Sequence, residues 1–202
     1  MASKDPLVWI DCEMTGLDPG NDTIMSLACF VTDYDLNLLD HDGFEAIIHH
    51  SKESLDRMGE WCTQHHGDSG LTQACLNSTT TADEAADGLL QYIRKYVPKP
   101  RTALLAGNSV HADKSFLVNA PYNLVVEYLH YRILDVSSIK EAARRWAPAS
   151  ILKQIPKKQM LHEARQDILE SIQEAKFYQE AFFQKKVNSS KQPSKADQGS
   201  FA

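Results

Sequence analysis

The sequence predicts an α/β fold built on a mixed β-sheet flanked by helices. Two observations predict it: three β-rich runs come first, and strand and helix patterns then alternate to residue 183. The first run, residues 7–12, is short and apolar and reads as a buried strand. It is broken by residues 15–22 (TGLDPGND), a segment dense in turn formers. Residues 23–32 and 43–49 form the second and third β-rich runs, which together suggest an antiparallel meander. Residues 54–77 alternate short helical patterns with loops. A clear helix then opens on a capping box of Thr81 and Glu84. Ala85, Leu89, Tyr92, Ile93 and Tyr96 recur in it at helical spacing, and Pro98 and Pro100 stop it. Residues 103–106 read as a strand ending at Gly107, residues 114–118 and 125–129 as helical, and residues 132–136 as another short strand. Ser138 and Glu141 form a second candidate capping box, opening a helix to Trp146. A last helix is expected over 164–183, carrying Ile168, Ile172, Ala175, Tyr178 and Phe182. From Lys185 the chain reads KKVNSSKQPSKADQGSFA, polar and Pro-containing. The expectation is therefore one folded domain over 1–184 and a disordered tail over 185–202.

Bulk properties narrow the function. With 202 residues, 43% hydrophobic and 24% charged, the chain suits one globular domain with a substantial core. A net charge of −6 excludes a generic polyanion binder with a basic surface. Nucleic acid would have to be handled at a local site, with metal ions offsetting carboxylates. Cys12, Cys29, Cys62 and Cys75 show no zinc-like spacing, which points to a reducing compartment. No apolar run approaches the roughly 20 residues a membrane span needs, and MASKDPLVWID lacks a signal-peptide apolar region. A cytoplasmic protein is expected, although a trimmed mitochondrial form would look the same.

The acidic residues carry the chemistry. Asp11 and Glu13 are one residue apart at the end of the first strand, so both carboxylates project to one face. Such a pair suits hard cations, although an exposed acidic pair on a solvated face is the plainer alternative. Asp113 follows the apolar strand LLAG and the loop NSVHA, where α/β folds place functional groups. It equally suits a helix start, where the macrodipole favours a carboxylate. Asp167 lies five positions after His162; on an ideal helix that is about 500°, leaving the two roughly 140° apart. If both serve one site, His162 sits on the loop before the helix and reaches back as a general base. Four carboxylates in this order suit two Mg²⁺ or Mn²⁺ ions about 4 Å apart.

At these residues the chain resembles the DEDDh exonucleases, and within them the oligoribonucleases. The stretches that carry the resemblance are WIDCEMTGLDPGND (9–22), WCTQHHGDSGL (61–71), LAGNSVHADKSFL (105–117), HYRILDVSSIKEAARRW (130–146) and HEARQDILESI (162–172). The resemblance implies a ribonuclease H-like fold and 3′→5′ hydrolysis of very short RNA, especially 5′-phosphorylated dinucleotides. It makes Asp11, Glu13, Asp113 and Asp167 the metal-binding acids and His162 the general base. It also makes Leu17 a wedge between the two bases, Trp61 a stacking aromatic, and Tyr131 a second one contributed across a homodimer interface. His66, Ser109, Arg132 and Ser137 match the family's cap on the substrate 5′-phosphate, with Arg132 and Ser137 drawn from the partner subunit. Without the resemblance, Trp61 reads as a core aromatic and Arg132 as a surface ion-pair partner.

Three positions depart from the family's pattern. Ser26 and Gln166 stand where acids are common, and Cys12 replaces a leucine between the first two acids. None removes a metal ligand. Residues 147–161 match the family poorly. All five catalytic positions are present, which disfavours a short-RNA binder with a decayed site. The cap residues and the lack of a basic groove-like pattern disfavour a nuclease acting on long strands.

Overall fold

The computed structural model describes residues 5–156 and 163–183. Its strands are β1 (Leu7–Met14), β2 (Ile24–Thr32), β3 (Phe44–Ile47), β4 (Leu104–Gly107) and β5 (His130–Asp135), joined in one sheet in the order β3-β2-β1-β4-β5. The β1–β2 and β2–β3 pairs are antiparallel, the predicted meander. The β1–β4 and β4–β5 pairs are parallel, so the sheet is mixed as expected. A parallel pair needs a crossover, and α5 (His111–Leu117) with α6 (Asn123–Tyr128) supplies it between β4 and β5.

Alternation along β1 sorts its side chains between two cores. Val8, Ile10 and Cys12 join Leu27, Cys29 and Val31 of β2 under α4 (Ala82–Tyr96), with Ala85, Leu89 and Ile93 from that helix. Trp9 joins Ala28 and Phe30 on the other face, under α7 (Val136–Trp146) and α9 (Ala164–Tyr178), with Val136, Ile168, Ile172 and Tyr178. All nine residues of β2 are buried, because both its faces are covered. No helix among the described residues is long and apolar enough to cross a membrane.

Several element bounds differ from the sequence expectation. Strand β1 runs on to Met14, so Glu13 lies within it. Residues 54–77 resolve into α1 (Lys52–Leu55), α2 (Glu60–Asp68) and α3 (Leu71–Asn77). The Thr81–Glu84 capping box forms as predicted. The Ser138–Glu141 box does not: α7 begins at Val136, directly after β5, and Asp135 caps it by accepting from the Ser137 N–H. Ser138 is already inside the first turn. A short helix, α8 (Ala149–Leu152), follows, and α9 gives way at Tyr178 to a wider π-type turn, Gln179–Phe183. The predicted tail from 185 lies outside the described residues.

Candidate active site

Past buried Trp9, the same face of β1 presents Asp11 and Glu13 beside the start of α9, where Asp167 occupies the first turn. One carboxylate oxygen from each of Asp11, Glu13 and Asp167 lies within 4.8 Å of the others. Asp113, in the first turn of α5, is more deeply buried, and its Oδ1 accepts from the Cys12 N–H at 2.9 Å. It therefore stands outside the group of three, locked to the β1 backbone between Asp11 and Glu13. The Glu13 carboxyl is pushed up to about 7, first by burial and then by the negative charges of Asp167 and Asp113. Burial also raises Asp113, against the lowering effect of the Cys12 N–H. The predicted base, His162, lies outside the described residues.

The predicted wedge rides on a braced loop. Asp22 accepts from the Thr15 hydroxyl at 2.9 Å and from the Asp18 N–H at 3.0 Å, closing the turn that holds Leu17 87% exposed. Gly16 is required there, since a Cβ would collide with the Asp22 carboxylate. Trp61 is exposed rather than core, its ring stacked on His65 with centroids 4.5 Å apart. His66, however, is only 2% exposed, and its Nε2 is 2.9 Å from the Met14 carbonyl. It packs at the end of β1, beside the Met14 carbonyl.

Strand β5 is the other edge of the site. Tyr131 is 72% exposed, stacked on His130 at 4.5 Å, and the Arg132 guanidinium lies 5.1 Å from its ring centroid. Ser109 Oγ donates to Ser137 Oγ of the same chain at 3.2 Å. Asp135, not anticipated, organises them: its Oδ1 accepts from the backbone N–H of Ser109 at 3.0 Å and of Ser137 at 2.9 Å. Its Oδ2 faces His111 Nδ1 at 3.2 Å. These bonds hold Ser109 at φ 50°, a left-handed conformation that a non-glycine residue seldom takes. The signal was present in the sequence, since an aspartate two residues before a serine invites a side-chain-to-backbone turn.

The exonuclease family model (RNase T) matches residues 8–175. A probable oligoribonuclease of Schizosaccharomyces pombe is 49% identical over 178 residues, covering 87% of this chain and 68% of that protein. The mitochondrial oligoribonuclease of Homo sapiens is 46% identical, with 92% and 76% covered, and the oligoribonuclease of Mycobacterium avium 47%, with 89% and 82% covered. The chain belongs to the oligoribonuclease family of exonucleases. Among solved structures, E. coli exonuclease I in complex with a dT13 oligonucleotide superposes with a TM-score of 0.64 at 14% identity, covering 87% of this chain and 41% of that one. Exonuclease I of Methylocaldum szegediense gives 0.61 at 15% identity, covering 87% and 40%. The chain thus spans about 40% of the length of those structures, and what they share with it is the ribonuclease H-like fold.

As an oligoribonuclease-family site, the acid cluster fits divalent cations. Its donors are hard carboxylate oxygens, and burial, followed by the negative charges of Asp167 and Asp113, raises Glu13, a shift that a bound cation would oppose. Ser26 pairs directly with Glu13 across β1–β2, so a hydroxyl faces this acid. The raised carboxyls have a stability consequence. A carboxyl that binds its proton more tightly in the folded state stabilises the fold below its unfolded pKa, and that contribution is lost as pH rises through the folded value, here about 7 for Glu13. Divalent cations are therefore expected to raise the melting temperature more at about pH 8 than at about pH 5.5, by several degrees, since about 1 kcal/mol moves the midpoint roughly 2–4 °C. Scanning calorimetry with Mg²⁺ and with chelator at both pH values checks this. Equal gains at the two would mean that cations do not displace protons from this cluster.

Proposed function

We infer that the protein is a 3′→5′ exoribonuclease that hydrolyses very short RNA oligonucleotides, 5′-phosphorylated dinucleotides above all, to mononucleotides. The observation that carries this is the convergence of Asp11, Glu13 and Asp167 within 4.8 Å at one end of β1, in a chain of the oligoribonuclease family. Asp11, Glu13, Asp113 and Asp167 would hold two divalent cations, Mg²⁺ or Mn²⁺. When bound, such a pair lowers the pKa of a water and offsets charge on the scissile phosphate. His162 takes the proton from the attacking water as its oxygen bonds to phosphorus. The bond from phosphorus to the 3′-oxygen of the preceding nucleotide breaks, releasing a 5′-mononucleotide. Leu17 separates the two bases, and Trp61 stacks on one of them. The test is digestion of labelled 5′-phosphorylated dinucleotide beside a long single strand of RNA. Preference for the long strand would overturn the assignment.

Tyr131 and Arg132 project from the edge strand β5, and their exposure supports a homodimer in which the second stacking ring and the guanidinium reach the 5′ end of substrate held by the partner. A mitochondrial form is supported by relatives in Saccharomyces cerevisiae and Homo sapiens that carry mitochondrial names. Arg132→Ala is expected to lower the specificity constant for 5′-phosphorylated dinucleotides roughly tenfold to a hundredfold, the effect of one or two charge-assisted hydrogen bonds. Dinucleotides without the phosphate lose far less, because they never make the contact. Equal losses for both substrates would make Arg132 structural. Light scattering of the wild type is expected to return a dimer of the 22.7 kDa chain, and a monomer at micromolar concentration removes the cross-subunit role.

A further inference from the structure

Helix α9 carries Asp167 in its first turn, but Glu163 at its N-cap makes no side-chain capping bond. Arg165, in the same turn, ties the helix to the sheet instead. Its Nη2 donates to the His41 carbonyl at 2.9 Å and its Nη1 to the Asp42 carbonyl, both in the loop between β2 and β3. Nη1 also lies 3.6 Å from Glu45 Oε2 on β3, and the guanidinium carbon is 4.9 Å from the ring centroid of Phe30 on β2. The loop is shaped to pass close over that ring. Asp40 Oδ2 accepts from the Gly43 N–H at 3.1 Å, and Gly43 takes φ 70°, where a Cβ would lie 2.7 Å from the Phe30 ring. Phe30 is fully buried and pairs across the ladder with Trp9, two residues before Asp11 on the same face of β1. One side chain therefore joins the first turn of α9 to the strands beside which the acids meet.

We propose that Arg165 is a positioning residue that holds Asp167 at the spacing from Asp11 and Glu13 that divalent cations need. This rests on reading the acid cluster as the metal site. Packing of Ile168 and Ile172 sets how closely α9 lies on the sheet, but apolar contact is non-directional and resists rolling of the helix poorly. Bonds to two fixed carbonyls are directional. A planar guanidinium can make both while its face covers an aromatic ring, which an ammonium cannot. Arg165 and Asp167 are two residues apart, about 200° around the helix axis. A clamp on the first therefore fixes the roll that aims the second, in a group where misplacement by about 1 Å is costly.

The experiment titrates Mn²⁺ by calorimetry into wild type, Arg165→Ala, Arg165→Lys and Asp167→Asn, and follows kcat and KM for a dinucleotide in each. Arg165→Ala is expected to weaken Mn²⁺ binding about tenfold, the lower end of the usual effect of losing a side chain that orients a metal ligand. At a fixed, limiting Mn²⁺ concentration kcat is expected to fall with it, while KM changes little. Arg165→Lys keeps the charge without the paired bonds and is expected to lose nearly as much. Wild-type affinity in Arg165→Lys would make the effect one of charge and overturn the clamp. A raised KM with unchanged Mn²⁺ affinity would overturn it too, by moving Arg165 to substrate binding. If Asp167→Asn leaves Mn²⁺ binding unchanged, the metal-site reading fails and the proposal falls with it. If Asp167→Asn weakens binding and Arg165→Ala does not, the metal site stands and the proposal alone fails. Should Arg165→Ala not fold, Arg165→Lys carries the test, with the same two outcomes.

Discussion

Asp11→Asn is expected to abolish hydrolysis and leave the fold intact. The substitution keeps the size and shape of the side chain but exchanges a charged oxygen for an amide, in a group whose three ligand atoms lie within 4.8 Å. The loss is expected to reach about a thousandfold or more, since cation-supplied charge stabilisation is worth several kcal/mol in a phosphoryl-transfer transition state. The metal-free variant is expected to melt at or above the wild-type temperature, because Glu13 and Asp167 each lose a negative neighbour. The two measurements must be made together: lost activity with a lowered melting temperature would indicate misfolding. Turnover near the wild-type rate in Mg²⁺ would remove Asp11 from the metal site.

His162→Ala is expected to lower the rate by roughly 10²–10⁴-fold, the usual effect of losing a general base. Helix α9 begins at Ala164 and holds Asp167 in its first turn. With the imidazole proposed as base and not as ligand, metal affinity by calorimetry is expected to change little. The pH–rate profile is the sharper readout. An imidazole base must be neutral to work, so wild-type activity falls on the acid side near the histidine pKa of about 6.5. The imidazole's share of that limb is expected to disappear in the variant, and the share that Glu13 contributes to remain. Calorimetry that shows metal binding lost with the imidazole would make His162 a ligand instead.

The sheet and the metal acids were legible because local rules govern them. Alternation placed Asp11 and Glu13 on one face, and the continuous apolar run of β2 announced a strand covered on both sides. Capping boxes were less reliable. Thr81–Glu84 and Ser138–Glu141 share one spacing, but only the first has a free loop before it. At the second, β5 runs straight into α7, and Asp135 takes the capping role. What could not be read depends on residues distant in the chain. Asp113 is locked by the Cys12 N–H across 101 positions, His66 by the Met14 carbonyl across 52, and Ser109 meets Ser137 across 28. Nothing in the residues near Ser109 and Ser137 says that two parallel strands will bring them together.

The order of the strands divides the site by how readily its backbone opens. Strand β1 has a partner on each side and carries Asp11 and Glu13, whereas β5 pairs only with β4 and carries Tyr131 and Arg132. Amide hydrogens along β1 are released only when the sheet as a whole comes apart, while those of β5 can exchange through openings that leave the rest folded. The acids therefore keep their geometry from one turnover to the next. The edge strand, with Tyr131 and Arg132, is the side of the sheet that can breathe.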